Sequence, residues 1–150
     1  MKKRMTKILL SMAICLVPFT PVTAQTRSTE DTEISSFKIS PNSYKQLSYR
    51  KKEDGSPVYL WYKEATNNRY NYVYVRAYGT SSHNLTLDGN TKSVDHVTCY
   101  LGNQYSIRSN IYESGYTSAS LGFKSLNYVQ TQTIGGWWSP DSAGRYTYAY

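Results

Sequence analysis

Apolar and polar residues alternate with a period of two along most of the chain beyond residue 37, which is the pattern of half-buried β-strands. The clearest segment is Tyr70–Tyr78. Its two predicted faces are Tyr70, Tyr72, Tyr74, Arg76 and Tyr78 on one side, and Asn71, Val73, Val75 and Ala77 on the other. Similar segments predict strands at Tyr44–Lys51, Val58–Glu64, Leu85–Leu87, Ser93–Leu101, Tyr105–Tyr112, Thr117–Phe123 and about Asn127–Ile134.

Turn-forming residues separate these segments at regular intervals. Asp54-Gly55 predicts a hairpin between the strands on either side of it, and Asp88-Gly89-Asn90 predicts a second one. Gly102-Asn103 and Ser114-Gly115 predict two further turns. The pattern predicts an all-β fold, a single antiparallel β-sandwich or small barrel of about 7–8 short strands.

The first 24 residues have a different pattern, which is that of a secretory signal peptide. Positive residues at the start precede an apolar run, Ile8–Phe19, that is too short to span a membrane. Val22-Thr23-Ala24 then predicts cleavage before Gln25. We therefore expect an exported, extracellular protein with no membrane span in its mature part.

The leader sets the domain organisation. Residues 1–24 form the signal peptide, and residues 25–36, which are mainly Thr, Ser, Glu and Asp, predict a flexible acidic and polar tether. Residues 37–150 hold all sixteen tyrosines and all three tryptophans and predict the β-sandwich domain.

Charge and cysteine content change once the leader is removed. Four of the seventeen basic residues and none of the ten acidic ones lie in it, so the formal charge falls from +7 to +3. That value does not indicate a nucleic-acid-binding protein. Cys15 also lies in the leader, so Cys99 has no intramolecular disulfide partner in the mature chain.

No residue pattern indicates catalysis, a metal or a cofactor. His83 and His96 have no close ligand spacing, and glycine loops for phosphate are missing. On a strand, His96 and Cys99 point to opposite faces, which argues against a nucleophile–base pair. Cys99 is expected to pack in the core, and the protein is expected not to be an enzyme.

Two aromatic features are candidate ligand contacts. One consists of Tyr72, Tyr74 and Arg76, which could stack on a ligand, although cross-strand packing of tyrosines is the favoured interpretation. The other is the segment 135–142, in which two glycines permit a bend or bulge and Pro140 ends the strand. Its candidate residues are Trp137, Trp138 and Asp141, with one indole expected in the core and the other at the surface.

The C-terminal motif also carries a resemblance. The segment 136–142 (GWWSPDS), the Tyr49-Arg50 pair, the Trp61 strand and the Leu121-Gly122 step resemble small secreted proteins of Gram-positive bacteria, a family of unknown function. Some of these proteins are found in bacteriocin-type neighbourhoods. The chain is similar, more weakly, to lactococcin-like bacteriocins through its aromatic end, residues 146–150. The resemblance implies secretion and a role in bacterial antagonism or surface interaction.

We therefore predict a secreted, non-enzymatic recognition protein that acts at the bacterial cell surface or on an extracellular partner. Its partner would be a cell-envelope component or a protein. Two alternatives remain open: a bacteriocin-like antimicrobial protein, and a glycan-binding module that uses exposed tryptophan and tyrosine rings.

Overall fold

A computed structural model describes residues 29–66, 71–80, 96–126 and 131–149, together with the backbone of residues 86–87. These residues contain no helix, so none that could cross a membrane. They form eleven strands: β1 (Thr32–Ile39), β2 (Lys45–Gln46), β3 (Arg50–Lys51), β4 (Val58–Thr66), β5 (Tyr72–Thr80), β6 (Thr86–Leu87), β7 (Val97–Tyr100), β8 (Gln104–Ile107), β9 (Ser118–Lys124), β10 (Gln132–Ser139) and β11 (Thr147–Tyr148). The leader, Tyr70, His83 and the Asp88-Gly89-Asn90 segment lie outside the described residues.

The strands form two sheets. Sheet A has the order β1-β10-β4-β8-β11, and its pairs are antiparallel except for β8 and β11, which are parallel. Sheet B is antiparallel and has the order β2-β9-β5-β6, with β3 also on β9 and β7 also on β5. The all-β prediction is confirmed, and the architecture is the sandwich. Seven strands have four residues or more, which is close to the predicted number.

The core lies between the two sheets. Burial of apolar side chains drives this packing, and the alternation of each strand selects which side chains take part. Sheet A contributes Ile34, Leu60, Tyr62 and Trp138, and sheet B contributes Val73, Val75, Cys99, Leu121 and Phe123. The inward positions predicted for β5, β7 and β9 are therefore confirmed.

Of the two predicted hairpins, the one at Asp54-Gly55 is wrong, and the one at Asp88-Gly89-Asn90 lies outside the described residues. The turn at Asp54-Gly55 connects β3 of sheet B to β4 of sheet A, so it carries the chain between sheets. β6 and β7 each run antiparallel to β5, and therefore in the same direction, so they are successive segments on one side of β5. Turn residues specify a change of direction, whereas the choice of pairing partner depends on residues far away in the sequence.

The first strand was not predicted. β1 includes residues 32–36 of the segment interpreted as a tether and pairs with β10 at the edge of sheet A. Its register shifts between Ile34 and Phe37, and Ser36 has a φ of 49°. The shift places successive apolar residues, Ile34 and Phe37, three positions apart, which hides the alternation, and an edge strand tolerates polar residues on its outer side.

The last long strand continues through the two glycines instead of ending before them. β10 spans Gln132–Ser139, with a register shift against β4 between Gly135 and Gly136, and Pro140 follows its end. The predicted bulge and the predicted stop at Pro140 are confirmed. Only the strand bounds, expected at about Asn127–Ile134, differ.

Candidate binding face

The tyrosines of β5 lie on the outer face of sheet B. Val73 and Val75 point into the core, so the alternation directs Tyr72 and Tyr74 outwards, where both are half-buried. The β-branched valines favour the extended backbone that sets this alternation. The rings are therefore held on a paired strand at the centre of a sheet.

Tyr100 of β7 and His96, which directly precedes this strand, extend the row of rings. Tyr72 is paired with Tyr100, and the centroids of their rings are 5.4 Å apart. Tyr72 and Tyr74 meet edge to face at 6.1 Å, and the His96 ring lies 4.2 Å from that of Tyr74. Tyr100 is 52% exposed, so the row is open to solvent at this end. Cross-strand ring packing, the interpretation favoured from the sequence, is confirmed for Tyr72 and Tyr100.

Two cations lie at the other end of the row. The guanidinium carbon of Arg76 is 4.3 Å from the centroid of the Tyr44 ring, and the ammonium of Lys124 is 5.9 Å from the same centroid. Such cation–π contacts fix the positions of the charges relative to the sheet. We call this surface the tyrosine face; its members are Tyr44, Tyr72, Tyr74, Arg76, His96, Tyr100 and Lys124.

Tyr78 belongs to the same row by its position but is only 3% exposed. Its ring lies against Gly122 of β9, where a Cβ atom would overlap it. A side chain at position 122 would thus exclude the ring from this place. Tyr78 is part of the packing and does not present a surface to a ligand.

Trp137 lies on the other side of the sandwich. It is paired with Trp61 of β4 and with Glu33 of β1, and it points away from the core because its neighbour Trp138 points into it. Both Trp61 and Trp137 are half-buried, and the Lys63 ammonium is 5.6 Å from the Trp61 ring. The two predicted aromatic features therefore form separate surfaces on opposite sheets.

Trp138 and Asp141, the other candidate contacts, are not at the surface. Trp138 is 2% exposed in the core, and Asp141 is fully buried. The Asp141 carboxylate forms an ion pair with Lys52 at 2.9 Å. The sequence correctly predicts one buried and one more exposed indole, but the adjacent aspartate faces the interior because a buried lysine balances its charge.

His96, which directly precedes β7, lies against Tyr74 on the outer face of sheet B, whereas Cys99 of β7 lies in the core, as the spacing predicts. Burial raises the pKa of the Cys99 thiol, so the thiolate that a nucleophilic cysteine requires is disfavoured. Within the described ranges no three His, Cys, Asp or Glu side chains group together in a way that could hold a metal ion.

A cleft of about 460 Å³ lies at the end of sheet A near the two bulges. It was not predicted, because it depends on register shifts that the sequence pattern does not reveal. Its lining includes Ser36, Lys63, Glu64, Thr66, Leu101 and Thr133.

The remaining residues of the tyrosine face were missed for a similar reason. Tyr44, His96 and Lys124 come from different parts of the chain, and strand pairing alone brings them to Tyr74 and Arg76. Tyr100 had a signal in the sequence, because a buried Cys99 implies that its neighbour on the strand points outwards.

The fold and this face define a class: an all-β sandwich with half-exposed aromatic rings on the outer sides of both sheets. Residues 20–142 match the family described as "Protein of unknown function (DUF2712)", and the chain belongs to that family. Neither the curated proteins nor the solved structures include a significant match. The family agrees with the predicted resemblance as far as unknown function; the bacterial source and the bacteriocin association remain predictions.

Proposed function

We propose that this protein is a secreted, non-enzymatic recognition protein that binds a cell-envelope component or an extracellular protein through the tyrosine face. The observation that carries the proposal is the packing of Tyr72, Tyr74 and Tyr100 into one partly open row on the outer side of sheet B. Tyrosine and tryptophan rings are enriched where binding energy concentrates.

The contacts within the row support this role energetically. Each ring is already restrained by a neighbouring ring, so binding would immobilise few additional rotamers. The phenolic hydroxyls and the ring faces together suit partners that have both polar and apolar parts. Arg76 and Lys124 add positive charge beside the rings, which favours a partner with anionic groups.

Binding of the purified extracellular protein to isolated cell envelopes and to envelope proteins would test the proposal. We expect Tyr74→Ala and Tyr100→Ala each to weaken binding by about ten-fold or more, as for residues at the centre of an interface. Tyr112→Ala is the matched control, because Tyr112 is 45% exposed and lies in the turn at residues 111–115, outside the tyrosine face. Equal loss in all three variants, or loss in none, would contradict the proposal.

A glycan-binding function is the second candidate, and the Trp61–Trp137 pair favours it. Indole faces on an outer sheet surface are suited to stacking on sugar rings, and Lys63 and Glu33 beside them supply hydrogen-bonding groups. Binding of the protein and its variants to a glycan array shows which of the two surfaces binds glycans. Loss of glycan binding in Trp137→Ala with retention in Tyr74→Ala would assign it to sheet A, and unchanged binding in Trp137→Ala would remove this candidate.

A further inference from the structure

The most enclosed pair of reactive groups in the described residues is Lys52 and Asp141. Lys52 follows β3, Asp141 follows β10, and 89 positions separate them in the chain. Their side chains are 1% and 0% exposed. The pair therefore joins the connection between the two sheets to the segment after the last long strand, in a place that water does not reach.

Hydrogen bonds hold the amine directly against the carboxyl group. The Lys52 Nζ lies 2.9 Å from Asp141 Oδ1 and donates to the carbonyl oxygens of Ser56 and Pro140 at 2.7 and 2.8 Å. The other carboxylate oxygen, Oδ2, accepts from the backbone N–H of Glu53 at 2.9 Å, and the Ser56 hydroxyl is 3.5 Å from Oδ1. Each oxygen of the carboxyl group thus has a different environment.

We propose that Lys52 and Asp141 form an intramolecular amide cross-link in the folded protein. In the first step a proton passes from Nζ to Oδ1, across their 2.9 Å contact, and the ion pair becomes a neutral amine and a neutral acid. The lone pair of Nζ then forms a bond to Cγ of Asp141. The bond between Cγ and Oδ1 breaks, and Oδ1 leaves as water.

The atoms balance without any further reactant. Two of the three ammonium hydrogens leave with Oδ1 in the water molecule, and the third remains on the amide nitrogen. Oδ2 becomes the amide oxygen. No group is oxidised or reduced, and the ion pair is replaced by an uncharged bond.

The neighbouring groups suit the charges that develop in this step. The Glu53 N–H points at Oδ2, on which negative charge accumulates when the amine adds to Cγ. The Ser56 hydroxyl is placed to pass a proton to Oδ1 as it leaves. Contact between two groups that cannot separate provides a high effective concentration, which compensates for the low reactivity of a carboxylic acid.

Mass spectrometry of the purified wild-type protein tests the cross-link directly. We expect its intact mass, under reducing and denaturing conditions, to be lower by one water molecule than the mass calculated from its own N-terminus. Proteolysis should then release one branched product in which the peptides containing Lys52 and Asp141 are joined. A wild-type protein of full calculated mass would overturn the proposal and leave an ordinary ion pair, and a branch through another lysine would overturn the assignment.

Variants provide the controls. The intact mass of Lys51→Met should still be one water molecule below its calculated mass, because Lys51 is exposed and pairs with Glu53 instead. Lys52→Met and Asp141→Ala should have their full calculated masses. Asp141→Asn keeps the shape of the site and should lose ammonia in place of water. Since the decisive measurement uses the wild-type protein, instability of any variant does not affect the result.

Discussion

At the residue scale, the buried ion pair explains why two charged side chains occupy the interior of the sandwich. Lys52 directs its three donors to three acceptors, so none of its hydrogen-bonding capacity is lost on burial. Asp141 accepts from Glu53 and pairs with Lys52. Neither charge is left alone, which is the condition under which buried charges are tolerated.

Removal of one partner is therefore expected to be costly. Lys52→Met leaves the Asp141 carboxylate buried without its cation, and its free energy of unfolding should be about 3–5 kcal/mol below that of a chain in which the ion pair is intact and not cross-linked. Urea denaturation followed by tryptophan fluorescence measures this change. Lys51→Met removes an exposed pair and should change the free energy by about 1 kcal/mol or less. Similar small changes in both variants would show that the buried pair does not stabilise the fold.

Buried acidic groups predict a loss of stability at alkaline pH. Burial raises the pKa of Tyr59 from 10.0 to about 12, with Asp31 as a further cause, and burial also raises the pKa values of Cys99 and Tyr62. The unfolded chain releases these protons at lower pH than the folded chain, so the folded state binds more protons. Stability is thus fully present below the unfolded pKa values and declines as the pH rises above about 9.

Denaturation midpoints between about pH 7 and about pH 11 test this prediction. Cys99→Ala should remove the part of the decline that begins first, because the ordinary thiol pKa of 9.0 is the lowest in the set. Tyr59→Phe should reduce the decline at higher pH. A midpoint that stays constant over this range would contradict the prediction.

At the element scale, the bulge in β10 determines how sheet A is built. Gly136 has a φ of 157°, and a Cβ atom at this position would overlap the Trp61 carbonyl oxygen. The bulge keeps Trp138 directed into the core and Trp137 directed outwards beyond the register shift. Glycine is therefore required here both by the backbone conformation and by the close approach of β4.

Gly136→Ala should destabilise the protein by more than the roughly 1–3 kcal/mol that a strained backbone conformation costs, because β4 must also move. Gly102→Ala is the matched control. Gly102 has a φ of 85°, but a Cβ atom there would have no neighbour within 4 Å. In thermal unfolding, the unfolding temperature of Gly136→Ala should be well below that of Gly102→Ala. Equal unfolding temperatures would mean that the contact with Trp61 imposes no constraint.

The strands also show how far alternation predicts elements. It locates β4, β5 and β9 closely. These strands are paired on both sides, and every second residue in their central part is apolar and points into the core. It misses β1, whose apolar positions are displaced by a register shift. It also misses β11, whose two residues pair only with β8. Edge strands and bulges thus account for the errors, because their side chains are constrained by fewer neighbours.

At the scale of the whole molecule, the sandwich separates the two aromatic surfaces. The tyrosine face covers the outer side of sheet B, and the Trp61–Trp137 pair lies on sheet A. A variant of one surface therefore leaves the other unchanged, which makes the binding experiments independent of each other.

Export is a prediction about the whole chain. The pattern of the first 24 residues implies that the extracellular form begins at Gln25. N-terminal sequencing of the protein from culture medium measures this directly. Replacement of the apolar run by polar residues should retain the chain, with Met1, inside the cell. Recovery of an uncleaved chain from the medium would contradict the predicted leader.

Local patterns in the sequence were enough to predict the fold class, the inward face of each central strand and the placement of one indole in the core. These features follow from alternation and turn chemistry, which act between residues close together in the chain. Long-range packing established which strands pair, which rings meet on the tyrosine face and that Asp141 lies beside Lys52. Such contacts join residues far apart in the chain, and their free energy depends on register, bulges and desolvation, none of which a local pattern contains.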